Sequence, residues 1–215
     1  MRTVRWMTSA LALAALLPAT GAAQSSRLFE NSWFWGAKAG VMSFSTTTAS
    51  NKVAPMVGAE WLITRKQAAL YLSADQSFFN STSSFTDGTG NVYPVNIKDM
   101  RRYSFALLAF PVSWGTIRPY GGVGLAINLI QDATPSASIT DPQQIAAADA
   151  KLADIKDRAA FLSMAGLQIQ YRRFSIFGQV TYMPATSDFL LNGRSTYMLE
   201  GGIRYNFSSS TDRMP

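Results

Sequence analysis

Seven charged side chains carry most of the chemical interest: Lys38, Glu60, Asp75, Arg102, Arg118, Glu200 and Arg204. All but Arg102, which follows Arg101, stand among small, polar or apolar neighbours rather than beside another charge. A charge removed from water must pair or meet trapped water, because unpaired burial is costly. Brought together on one enclosed surface, these groups make either a salt-bridge plug or a hydrated path for ions. Glu60 and Glu200 are expected to meet Arg118, Arg204 or Lys38.

Other reactive chemistry is excluded by composition. The 215 residues include no histidine and no cysteine. That removes Ser-His-Asp catalysis, His- or thiolate-ligated zinc, a cysteine nucleophile and a disulfide framework. Two carboxylates alone can act as acid and base, but those outside the seven show no recognisable arrangement. No catalytic, cofactor-binding or metal-binding residue is therefore assigned, and no cofactor is expected. Asp87 and Asp99 lack the ligand spacing of a calcium loop.

Residues 1–23 read as a secretory signal peptide. Arg2 and Arg5 form a basic start, an apolar run follows from Trp6 to Leu17, and Gly21, Ala22 and Ala23 offer small residues for cleavage. The formal charge of +6 falls to about +4 without Arg2 and Arg5. The basic residues are scattered, so no nucleic-acid surface is indicated.

Which elements position the seven charges? After the leader, no stretch of roughly 18 apolar residues occurs. Period-two alternation recurs instead and predicts eight strands, near 33–44, 53–64, 68–79, 100–112, 117–130, 159–171, 174–183 and 195–207. In the last, Tyr197, Leu199, Gly201, Ile203, Tyr205 and Phe207 share one face; Met198, Glu200, Gly202, Arg204 and Asn206 share the other. One face is apolar and bulky, the other small or polar with single charges. A soluble barrel would bury the bulky face and cover the opposite one with many Lys, Glu and Thr. The observed pattern suits a narrow barrel that faces lipid.

The connections agree. The gaps after strands 2, 4 and 6 are short, and those after 1, 3, 5 and 7 are longer, as in outer-membrane barrels. Aromatics gather near both strand ends: Trp33, Trp35, Trp61, Trp114, Tyr171, Phe174, Tyr205 and Phe207 at the short-turn end; Phe44, Phe78, Tyr103, Tyr182 and Tyr197 at the other. Such rings favour the headgroup boundary. In the longest loop, Asp141-Pro142-Gln143-Gln144 has helix-start chemistry, which predicts a short helix over 143–156. The loop from Asn80 to Asp99 reads as a flexible or strand-extended tip.

With these residues in place the chain resembles the small eight-stranded outer-membrane barrels of Gram-negative bacteria, the OmpX, OmpA-barrel and OmpW type. The most specific piece is Glu200-Gly201-Gly202-Ile203-Arg204-Tyr205-Asn206-Phe207, similar to the terminal-strand assembly signal of that family at Glu200, Gly202, Tyr205 and Phe207. Unlike the usual signal it is followed by a polar tail, 208–215. The resemblance implies an all-β, single antiparallel up-and-down transmembrane barrel over 24–207. It also implies a bacterial outer-membrane location, contact with membrane lipid and lipopolysaccharide, and handling by periplasmic chaperones and the barrel-assembly machinery. A monomer is expected, without catalysis. A barrel of eight strands is just wide enough for side chains to fill. The expected role is therefore that of a sealed barrel acting structurally or through its outer loops. Two alternatives are a narrow passage for small or hydrophobic solutes and a soluble lipocalin-like carrier, which would need an apolar lumen.

Overall fold

The structure is a computed structural model and describes residues 29–86, 90–136, 141–155, 157–185, 189–191 and 194–209. The leader read over 1–23 and the tail from 210 onward lie outside the described residues. Eight strands close into one antiparallel barrel in sequence order. They are β1 (Ser32–Phe44), β2 (Lys52–Arg65), β3 (Ala68–Thr86), β4 (Val92–Ala109), β5 (Ile117–Pro135), β6 (Asp157–Tyr171), β7 (Phe174–Met183) and β8 (Thr196–Ser209), with one helix, α1 (Pro142–Ile155), between β5 and β6. β8 pairs with β1 from Ser43↔Tyr197 to Ser32↔Ser209 and leaves no free sheet edge. Ser208 and Ser209, expected to lie in the tail, instead extend β8, paired with Trp33 and Ser32.

Alternation sorts the side chains as the pleat requires. The exterior is apolar: Ile117, Val123, Leu125 and Ile127 on β5 and Leu199, Ile203 and Phe207 on β8 all project outward. Two expectations need correction. The inner face is not only small and polar; it carries Phe34, Leu62, Tyr71, Leu108, Phe177 and six methionines. Alternation reports a face, and an enclosed lumen must be filled whatever the chemistry of its lining. Phe44 also turns inward, where its ring packs 4.6 Å from that of Phe79.

β3 and β5 run past their expected ends, and β4 begins earlier than expected, at Val92, and stops earlier, at Ala109. The β3–β4 ladder breaks between Ser77 and Asn80, then resumes from Asn80↔Lys98 to Thr86↔Val92. Asp99 absorbs the irregularity: it takes a left-handed conformation and its carboxylate accepts from the Phe79 amide at 3.0 Å. The extended strands, α1 and the 189–191 segment enclose a small apolar core at the loop end. Leu152, Ile155, Phe189, Leu190 and Leu191 are buried with Val95 and Ile97, and Ser83 Oγ donates to the Leu190 carbonyl at 2.8 Å. Asp141 caps α1, its carboxylate accepting from Gln143 N at 2.9 Å.

Candidate functional site: the filled lumen

Six of the seven singled-out charges meet in the lumen, in two groups. Lys38 on β1, Gly58 on β2, Asp75 on β3 and Arg102 on β4 lie in one row of paired residues. Lys38 Nζ reaches Asp75 at 2.9 Å and Glu200 at 2.8 Å, while Arg102 reaches Asp75 at 2.7 Å and Glu200 at 3.3 Å. Two cations and two carboxylates thus alternate and cancel. Glu200 also accepts from Gln179 Nε2 at 2.8 Å and Thr181 Oγ1 at 3.0 Å, and Lys38 donates to the Tyr71 hydroxyl at 2.8 Å. Arg204 and Glu60 form the second group, a direct ion pair, with Arg204 also donating to Gln168 at 2.7 Å and lying 3.8 Å from the centre of the Phe177 ring. All six side chains in these pairs are at most 3% exposed.

Both groups depend on a glycine in the strand between the partners. Gly58 separates Lys38 from Asp75, and a β-carbon there would stand 2.1 Å from Asp75 Oδ1. Gly36 separates Glu60 from Arg204, and a β-carbon there would stand 2.9 Å from Glu60. The missing side chains let charges on next-but-one strands touch.

Arg118 is the exception. It was expected beside Glu60 or Glu200, but its guanidinium lies 4.4 Å over the ring of Phe29, near the short-turn end. Strand tilt staggers residue heights around a barrel, so a shared face does not bring Arg118 level with the carboxylates. Phe29 was not anticipated: it precedes β1, outside any alternation, yet is fully buried against Phe34 and Phe110. Thr64 Oγ1 holds this segment, donating to the Phe29 carbonyl and accepting from Ser32 N at 3.0 Å. Tyr71, Gln168, Gln179 and Thr181 were also missed as partners; their position on the lumen-facing alternation was the available signal.

On the loop side of the ionic groups sit thioethers. Met42 pairs with Met198, Met56 and Met100 flank Ser77, and Ser77 Oγ approaches Met42 Sδ at 3.7 Å. Arg102 touches Met198 Sδ. The lumen is therefore layered: aromatic at the short turns, ionic in the middle, apolar toward the loops.

The aromatic residues at the strand ends face outward, apart from Phe44. Trp35 stacks on Trp61 at 5.2 Å and 7°, with Trp33 edge-on to Trp61 at 5.5 Å. Tyr205 packs on Phe174 and Phe207, both at 4.9 Å, with Tyr171 exposed nearby. Tyr182 and Tyr197 pair at 5.1 Å toward the loops. In the terminal-strand signal, Glu200 points into the ionic layer and Tyr205 and Phe207 point outward. Gly202 lies where a β-carbon would meet the Ala37 carbonyl at 2.3 Å and the Phe177 ring at 2.8 Å.

No family model and no curated protein matches the chain. Solved structures do. The crystal structure of Neisserial surface protein A aligns over 81% of this chain and 97% of its own, with a TM-score of 0.54 and 9% identity. The chain has the fold of the small eight-stranded outer-membrane barrels. The Yersinia pestis attachment invasion locus protein Ail covers 83% of this chain and 99% of its own at a TM-score of 0.44 and 13% identity. The outer-membrane protein AlkL, solved in lipid bilayers, covers 86% and 95% at 0.47 and 16%. At these identities the likeness is one of fold.

Proposed function

We propose that this barrel spans the bacterial outer membrane with a sealed lumen and serves a non-enzymatic, structural or surface-interaction role through its outer loops. The observation that carries the reading is the lumen: a charge-balanced ionic layer, Lys38 and Arg102 with Asp75 and Glu200, and Arg204 with Glu60, lying beneath methionines. The exterior supports membrane residence. β8 presents 11 residues from Tyr197 to Phe207 with aromatics at both ends, matching the roughly 9–11 residues a tilted strand needs to cross a bilayer. A soluble carrier would require the reverse, an apolar lumen inside a polar exterior. In this reading lipid and lipopolysaccharide surround a monomer, and the Glu200–Phe207 segment directs its assembly.

The absence of cysteine makes the test direct. Asp149→Cys places a thiol on α1, and Gln67→Cys places one in the β2–β3 turn. A membrane-impermeant maleimide added to intact cells should label the first and spare the second until the cells are lysed. Equal labelling before lysis, or recovery of the protein from the soluble periplasm, would contradict the proposal.

A further inference from the structure

The short-turn end carries a charge pattern that the sealed-barrel reading does not use. Arg65 ends β2 and Lys66 follows it in the β2–β3 turn, and Arg172 and Arg173 form the β6–β7 turn, all exposed. Among the described residues none of the four is in an ion pair, and the one exposed acid at this end is Glu30. Backbone geometry marks two of them. Five non-glycine residues have φ of 52–54°: Asn31, Asn51, Lys66, Asp99 and Arg172. Asn and Asp tolerate this left-handed conformation, and two-residue hairpins favour Asn or Gly there. Lys66 and Arg172 hold it against that preference. Turn formation therefore does not explain these residue types.

Their surroundings indicate the partner. The two turns are four strands apart in a ring of eight, on opposite sides of the barrel. One compact ligand cannot occupy both. Outward aromatics lie next to both turns: Trp33 pairs with Ile63, two residues before Arg65, and Tyr171 and Phe174 pair with each other across the β6–β7 turn. The Arg172 guanidinium lies 5.6 Å from the centre of the Tyr171 ring. Aromatic belts mark the headgroup level of a bilayer, so the four cations stand at phosphate depth around the rim.

We infer that this rim binds anionic phospholipid headgroups of the periplasmic leaflet, with Arg65 and Lys66 on one side and Arg172 and Arg173 on the other receiving the phosphates. The inference rests on the membrane reading above. Lipid phosphate is favoured over a wall polymer or a protein because it is present all round the barrel, with its chains against the same apolar band.

The test uses the refolded mature protein in phosphatidylcholine bilayers carrying a trace of spin-labelled phosphatidylglycerol or spin-labelled phosphatidylcholine. The immobilised fraction of each label gives the selectivity. Wild type should prefer phosphatidylglycerol by about five-fold at low salt, and less as salt screens the charges. The variant Arg65→Gln, Lys66→Asn, Arg172→Asn, Arg173→Gln should lose the preference. Asn suits both left-handed positions, so the barrel should fold, as circular dichroism and heat-modifiable gel mobility will show. Lys98→Gln with Arg101→Gln, at the loop end, should retain the preference. Equal immobilisation of both labels by wild type, selectivity surviving in the quadruple variant, or salt-sensitive binding to cell-wall polymer without lipid selectivity would overturn this inference alone. No immobilised lipid of either kind would overturn the membrane reading as well.

Discussion

Glu60 and Arg204 face each other with no second counter-charge, unlike the four-membered group around Lys38. Glu60→Gln keeps the shape and removes the charge. Arg204 would retain Gln168 and the Phe177 ring but lie buried without an anion. Breaking a buried pair from one side typically costs about 3–5 kcal/mol. The variant should unfold at clearly lower denaturant concentration than wild type in the same detergent, and an unchanged midpoint would contradict the pairing. At this scale the sequence showed which way each charge points but not its height. Glu60, Arg204, Lys38 and Glu200 alternate onto the inner face and do meet. Arg118 alternates onto the same face and meets Phe29 instead, because height depends on the stagger between strands, which period-two alternation does not encode.

Strands act here as spacers as well as walls. β1 and β2 let charges meet across them only where Gly36 and Gly58 omit a side chain. Gly58→Val would drive methyl groups into the Asp75 carboxylate and the Ala74 carbonyl, which lies 2.9 Å from the ideal β-carbon. Overpacking of this kind costs about 1–3 kcal/mol, and here it also parts Lys38 from Asp75. The expected result is a lower yield of heat-modifiable barrel and a lower unfolding midpoint. Wild-type behaviour would show that the Lys38–Asp75 contact does not need the gap. The strand order and the short turns were legible because bulky and small residues alternate cleanly through β5 and β8. The outer halves of β3 and β4 were legible only as one of two alternatives, a flexible or a strand-extended tip, of which the structure shows the second. Ser81, Thr82, Ser83 and Ser84 carry no apolar alternation, and the partners that make them a strand, Val95 and Ile97, come from the other arm of the hairpin. Helix α1 was legible from its cap, Asp141-Pro142, which is local chemistry.

At the scale of the whole molecule, the proposed seal is built in series. Phe29, Phe34 and Phe110 fill the short-turn end, two balanced ionic groups fill the middle, and Met42, Met56, Met100 and Met198 lie toward the loops beneath the core built by α1 and the 189–191 segment. An ion crossing the lumen would have to displace fixed partners in the ionic groups and pass a layer built mainly of thioethers and hydrocarbon, with the hydroxyls of Ser77 and Thr181 among them. The most direct test is the current carried by the refolded mature protein in a planar lipid bilayer, with folding and insertion verified on the same sample. A sealed lumen predicts no discrete steps above the lipid background at moderate voltage. Reproducible steps, with an ion selectivity that shifts in Glu200→Gln, would contradict the account and make the ionic layer part of a conducting path.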